Sequence, residues 1–135
     1  MPNSLPKSFY FQNPAITIYH TAGYLRLDWS GARTTEDELR GAYQQVLLAM
    51  KHYRTGKTLS YHGLRQLIPL PVQHWLTQEW IPRAVHEAGY SQCAVVESQS
   101  ALGRLASQAV GQQTPAQLDF RHFATLAEAH AWLSA

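Results

Sequence analysis

Short strand-like runs take turns along this chain with stretches of helical spacing, and that alternation constrains the fold more than any other feature. "SFYFQN" and "AITIYH" are aromatic and β-branched, and "YLRLDW" alternates strictly. In the last of these, Leu25, Leu27 and Trp29 share one face and Arg26 and Asp28 the other. The "TAG" between the second and third runs is a three-residue connection with glycine, which suits a hairpin, so the sheet is expected to begin antiparallel.

"TTEDELRGAYQQVLLAMKHYRTG" is the clearest helix. Thr34 or Thr35 can cap it, and Glu36, Asp37 and Glu38 sit where the dipole favours negative charge. Leu39, Tyr43, Val46, Leu47 and Met50 form its apolar stripe, and Gly56 is expected to stop it. A strand, "KTLSYHG", follows. "LPVQHWLTQEWIPRAVHEAG" reads as a second helix with Pro71 near its first turn and Gly89 past its end; Pro82 inside it should kink or break it. "SQCAVVES" is a strand of the kind buried on both faces, "SALGRLASQAVG" a weaker helix, "QLDFRHF" a strand, and "TLAEAHAWLSA" a closing helix capped by Thr125, with Leu126, Ala129, Trp132 and Leu133 as its apolar face. The fold class expected is therefore α/β: a single mixed sheet of about five strands with an antiparallel N-terminal part, packed with about four helices. Residues 1–7 read as a loose tail and residues 8–135 as one domain. Leu47, Leu59, Ile81, Val95, Val96, Phe120 and Leu133 are the expected core.

At 135 residues, with 45% apolar and 15% charged residues, the chain can bury one core without disulfides or metal. A formal charge of +2, from scattered Lys and Arg, argues against nucleic acid. One cysteine, Cys93, allows no internal disulfide and suits a reducing compartment. The opening "MPNSLPKSFYFQN" has no signal-like apolar stretch and no window reaches membrane-span length, so a cytoplasmic protein is expected.

The element order, with "GYLRLDWSG" before an acidic helix start, "TLSYHGLRQL" as central strand and loop, "WLTQEWIPRAVHEAGYSQCAVV" as helix and next strand, and "LDFRHFATLAEAHAWL" at the end, resembles the SpoIIAA-like group of STAS-type domains, small bacterial proteins of regulatory or binding type. The resemblance covers roughly residues 8–134 and implies fold more than function. Anti-sigma-factor antagonists of this group carry a phosphorylated serine at a helix start. The matching turn here, "LRQLIPLPVQHW", holds no serine or threonine, so a phospho-switch of that kind is not expected, His74 being the one side chain there whose ring could accept phosphate.

The chemistry-bearing residues point away from catalysis. Seven histidines include no H-x-H, H-E-x-x-H or Cys–His spacing, although a tight loop could bring His62 and His74 together. No G-x-S-x-G elbow, phosphate loop or dinucleotide fingerprint occurs; Cys93 lies in an apolar strand, and Glu79 lacks a partner carboxylate. Trp75 and Trp80 are five apart, which on an α-helix points them some 140° apart at ~100° per residue. The helix start at "SALGRLASQ" could meet an anion with help from Arg104. No cofactor and no metal are expected.

The function expected is a non-enzymatic binding or regulatory module. Its rim lies beyond the carboxyl ends of the parallel strands and is formed by His62, Arg65, Gln66, His74, Trp75, Ser98 and Ser100. His62, Arg65 and Trp75 are expected to be at least partly exposed there. The expected partner is a protein, a small ligand or a second copy of the chain, with no nucleic acid and no membrane span. The alternative is a carrier holding a small apolar or anionic, lipid-like ligand between sheet and helices, in a cavity opened by a bend at Pro82.

Overall fold

The alternation of strand and helix becomes one six-stranded sheet in a computed structural model that describes residues 7–65 and 67–135. The tail expected over residues 1–7 lies, apart from Lys7, outside the described residues, as does Gln66. The strands are β1 (Ser8–Gln12), β2 (Ile16–Thr21), β3 (Tyr24–Trp29), β4 (Lys57–Tyr61), β5 (Gln92–Val96) and β6 (Asp119–Phe123), and they lie in the sheet in their chain order. β1, β2 and β3 pair antiparallel; β3 through β6 pair parallel. The hairpin joining β2 to β3 is tighter than expected. Thr21 pairs with Tyr24, leaving only Ala22 and Gly23 in the turn, both at positive φ as a primed turn requires.

Each parallel step needs a crossover. α1 (Glu36–Tyr53), the pair α2 (Leu70–Trp75) and α3 (Ile81–Ala88), and α4 (Ala101–Gln112) supply them, while α5 (Leu126–Ser134) follows β6. Right-handed crossovers that always step the same way along a sheet deliver their helices to one face. Leu25, Leu27, Trp29, Cys93 and Val95 accordingly pack with side chains of α1 to α4. The opposite side of the strands presents Tyr24, Leu59, Ala94 and Val96 to Ala129 and Leu133 of α5. Six of the seven expected core residues are buried; Phe120, on the edge strand β6, is only half-buried. Leu126, expected on the apolar face of α5, is exposed in the first turn.

Helix ends follow local chemistry. Thr35 caps α1 in a capping box with Glu38, and Thr125 does the same for α5 with Glu128. α1 ends on Arg54 in the left-handed region, not through Gly56 as expected. Gly56 instead serves a close approach between chains of backbone, its Cα lying against Gly89. Pro82 does not break its helix. A π-helical turn over Leu76–Trp80 joins α2 to α3, with the Ile81 N–H bonded back five residues to the Leu76 carbonyl. Widening the helix by one residue lets the helical run continue past the proline. It also turns Trp75 and Trp80 towards a common neighbour, correcting the 140° separation expected of a regular α-helix: both approach Tyr43 of α1, at 6.3 and 5.1 Å between ring centroids.

Candidate functional site

A cleft of about 440 Å³ opens at the carboxyl ends of β3 and β4. Its walls come from the β3–α1 loop, where Ser30 to Thr34 follow Trp29, and from the β4–α2 loop, where Arg65 and Leu67 to Pro69 lie. Ala15, before β2, and Leu39 of α1 complete it. The place follows from topology. β2 runs antiparallel and arrives by a short loop, so no crossover helix covers this corner of the sheet. Asn13 holds the corner together, accepting from the N–H groups of Ala15 and Ile16 and donating to the Glu38 carbonyl. A small residue is obligatory at Gly31, where a Cβ would stand 2.8 Å from the Leu64 side chain.

Arg65 is the centre of the site. Its residue is only 5% exposed, and its guanidinium lies 3.7 Å from the centroid of the Trp29 ring. Nη2 donates to the Tyr43 hydroxyl at 3.0 Å, and Nη1 reaches His62 Nε2 at 3.4 Å. Arginine can only donate, so His62 Nε2 accepts and its Nδ1 carries the proton. Ser60 Oγ accepts from the Trp29 indole N–H at 2.8 Å and donates to the same His62 nitrogen at 3.1 Å. Trp29, Ser60, His62, Arg65 and Tyr43 thus form one buried polar chain across β3, β4, the loop and α1. A second, smaller pocket of about 40 Å³ lies between the sheet and the helices, and Arg65 and His62 also line it. Among the described residues no carboxylate pairs with Arg65: the ion pairs found are Arg26–Asp28, Arg40–Glu36, Lys51–Glu87, Arg83–Glu87 and Arg121–Asp119.

The backbone of the loop is clamped from the other side. Ser98 Oγ donates to the Arg65 carbonyl at 2.9 Å and accepts from the Ser100 N–H at 3.1 Å. Ser100 caps α4 by accepting from the Gly103 N–H, and Gly103 packs so close to the Arg65 carbonyl that a Cβ there would stand 2.8 Å from it. Arg104 donates to the carbonyls of Ser98 and Gln99. The start of α4, whose sequence could suit an anion, is therefore engaged in holding the loop.

These facts revise the expected rim. His62 (4% exposed), Arg65 and Ser98 are largely buried together rather than displayed, because α4 closes over the loop backbone while Trp29 stacks on one face of the guanidinium and Tyr43 accepts from its Nη2. Ser100 joins them through Ser98. His74 stands exposed on α2, and Gln66 falls outside the described residues. Trp75 is half-buried on the α1 side, with Arg40 5.2 Å above its ring, and does not line the cleft. Trp29, Ser60 and Tyr43 belong to the site although the expected rim does not include them. The signal that could have found the cleft is "SGA", three small residues directly after the strand that ends at Trp29.

Burial, then the Arg65 charge and His122, hold His62 well below the ordinary value of 6.5, so its ring is neutral. The unfolded chain takes up that proton near pH 6.5, whereas the folded chain does so only at lower pH. Between the two values the unfolded state binds more protons, and stability falls as pH falls, by up to about 1.4 kcal/mol per pH unit. Urea midpoints measured from about pH 7.5 down to about pH 5.5 should decline, and His62→Gln should flatten the decline. An equally steep decline in the variant would remove His62 as the cause. Burial likewise pushes the Cys93 thiol up, against the weaker pull of hydrogen bonds with Thr58 and Tyr90, which leaves it a poor nucleophile.

Among the described residues no group of three or more His, Cys, Asp or Glu side chains is placed to hold a metal ion, and no helix is long and apolar enough to cross a membrane. Comparison of the chain with family models, curated proteins and solved structures finds no match.

Proposed function

We propose that this protein is a non-catalytic binding module that receives a small ligand in the cleft between the β3–α1 and β4–α2 loops. One observation carries the reading: a cleft of about 440 Å³, within the usual range for small-molecule sites, has a buried arginine without a carboxylate partner in its wall. The lining supports a binding rather than a catalytic role, since its described residues include no His, Cys, Asp or Glu. The Ser30 hydroxyl donates to the Pro14 carbonyl and accepts from the Ala32 N–H, so it acts in the turn. The resemblance to SpoIIAA-like domains supports the same reading, and a cytoplasmic setting goes with it, in keeping with the free, buried Cys93.

Ala32 is exposed and lines the cleft, so Ala32→Trp should fill it without touching the core. Native mass spectrometry of the purified protein should show a bound small molecule that Ala32→Trp removes, with stability changed by no more than about 0.5 kcal/mol. No adduct, or an adduct that survives the substitution, would count against the cleft. A second reading, in which the same rim meets a protein, is favoured by three leucines of the β4–α2 segment: Leu64, Leu67 and Leu70 are 63, 52 and 66% exposed. A stoichiometric second chain in the same spectra, in place of a small molecule, would select it.

A further inference from the structure

We propose that the ligand of this cleft is a small organic carboxylate with an apolar body, its carboxylate pairing with the Arg65 guanidinium. The proposal rests on the cleft reading above and names the chemistry of its occupant. An arginine is charged at every pH a protein meets, and a buried charge is costly unless an opposite charge accompanies it. Arg65 is nine-tenths buried, yet its side-chain partners, Tyr43 and His62, are neutral. The five ion pairs among the described residues all lie elsewhere. A site built this way is short of one negative charge, and the large opening beside it is the cleft that Arg65 itself lines.

The burial and shape of the Arg65 charge select the anion. One buried guanidinium calls for one charge, and its planar fork matches a carboxylate. A multiply charged phosphate finds less support. The first turn of α1, directly after Thr34 of the cleft wall, carries Glu36, Asp37 and Glu38. The Thr35–Glu38 capping box already engages the Thr35 and Glu38 N–H groups, and three carboxylates of that turn repel an added multiply charged anion. Besides Ser30, Thr34 and the exposed, solvated Arg33, the wall is largely apolar, and Ala15, Trp29, Leu39, Ile68 and Pro69 suit a hydrocarbon or aromatic body. Trp29 is held rigidly by its indole bond to Ser60 and by the guanidinium stacked on its face, so this part of the wall is preorganised.

The test titrates the dialysed full-length protein by calorimetry with benzoate, 2-naphthoate and octanoate, each beside its matched alcohol, and with inorganic phosphate. At least one carboxylate should bind about tenfold or more tightly than its alcohol and more tightly than phosphate, as a charged hydrogen-bonded pair implies. Arg65→Met should abolish that preference while leaving the melting temperature of the ligand-free protein unchanged or higher, because an uncompensated buried charge has been removed. Arg65→Lys, which keeps the charge and loses the fork, should bind more weakly than wild type and serves if the Met variant does not fold. Equal binding of carboxylates and alcohols, lost in Ala32→Trp, would overturn the carboxylate and leave the cleft standing. A preference for phosphate would also overturn it. Binding by none of these probes would overturn both.

Discussion

Trp80→Ala should destabilise the protein by about 3–5 kcal/mol, the range for deleting a fully buried large aromatic, and Trp75→Ala by only about a third of that. Trp80 is 4% exposed and packs edge-on against Tyr43 and Tyr90, joining the π turn to α1 and to the start of β5. Trp75 keeps one side in solvent. Trp80→Phe separates packing from polarity. The indole N–H of Trp80 has no hydrogen-bond partner among the described residues, so the phenyl ring would keep much of the volume and shed a buried donor. Its expected cost is below about 1.5 kcal/mol. Urea unfolding of the three variants checks the ordering, and a Trp75→Ala protein as unstable as Trp80→Ala would mean that Trp75 packs as core.

Gly56→Ala is the second large effect. The added methyl would fall well inside van der Waals contact of the Gly89 carbonyl oxygen, an obstacle made of backbone rather than of a flexible side chain. The Gly56 carbonyl also accepts from the N–H groups of Ser91 and Gln92, so a shift here breaks the entry to β5 as well. The cost should reach or exceed about 3 kcal/mol, the upper end for overpacking, and low soluble yield is an expected symptom. Gly41 is the control. It lies inside α1 with nothing near its missing Cβ, so Gly41→Ala should stabilise by about 0.5–1 kcal/mol. If both substitutions behave alike, the close approach of Gly56 to Gly89 is not real.

The element order is readable in the sequence because periodicity and caps are local signals. Thr35 and Thr125 stand three residues before a glutamate, and Leu25, Leu27 and Trp29 alternate within six residues. Where the polar groups go cannot be read locally. Trp29, Tyr43, Ser60 and Arg65 are separated by 14, 17 and 5 residues and meet only after the sheet and α1 have assembled. Composition rules put arginine outside, so Arg65 reads as a surface residue, and only the fold shows it under Trp29. The tryptophan pair misleads for a different reason. Regular α-helical spacing from residue 75 to residue 80 sets the two rings apart, but the chain runs through a π turn over Leu76–Trp80.

The unbroken strand order bears on how the chain assembles. Every strand after the first finds a sheet partner in the strand immediately before it, so no strand is inserted between two already paired, and the first and last strands remain free edges. The loops to be closed are therefore single crossovers or hairpins, none longer than the stretch between two successive strands. Such a sheet can grow in one direction as the polypeptide leaves the ribosome, each new strand docking on a template already complete. The β3–β4 junction carrying Trp29, Ser60 and Arg65 would then be laid down in the first half of synthesis, before the helix that clamps its loop exists.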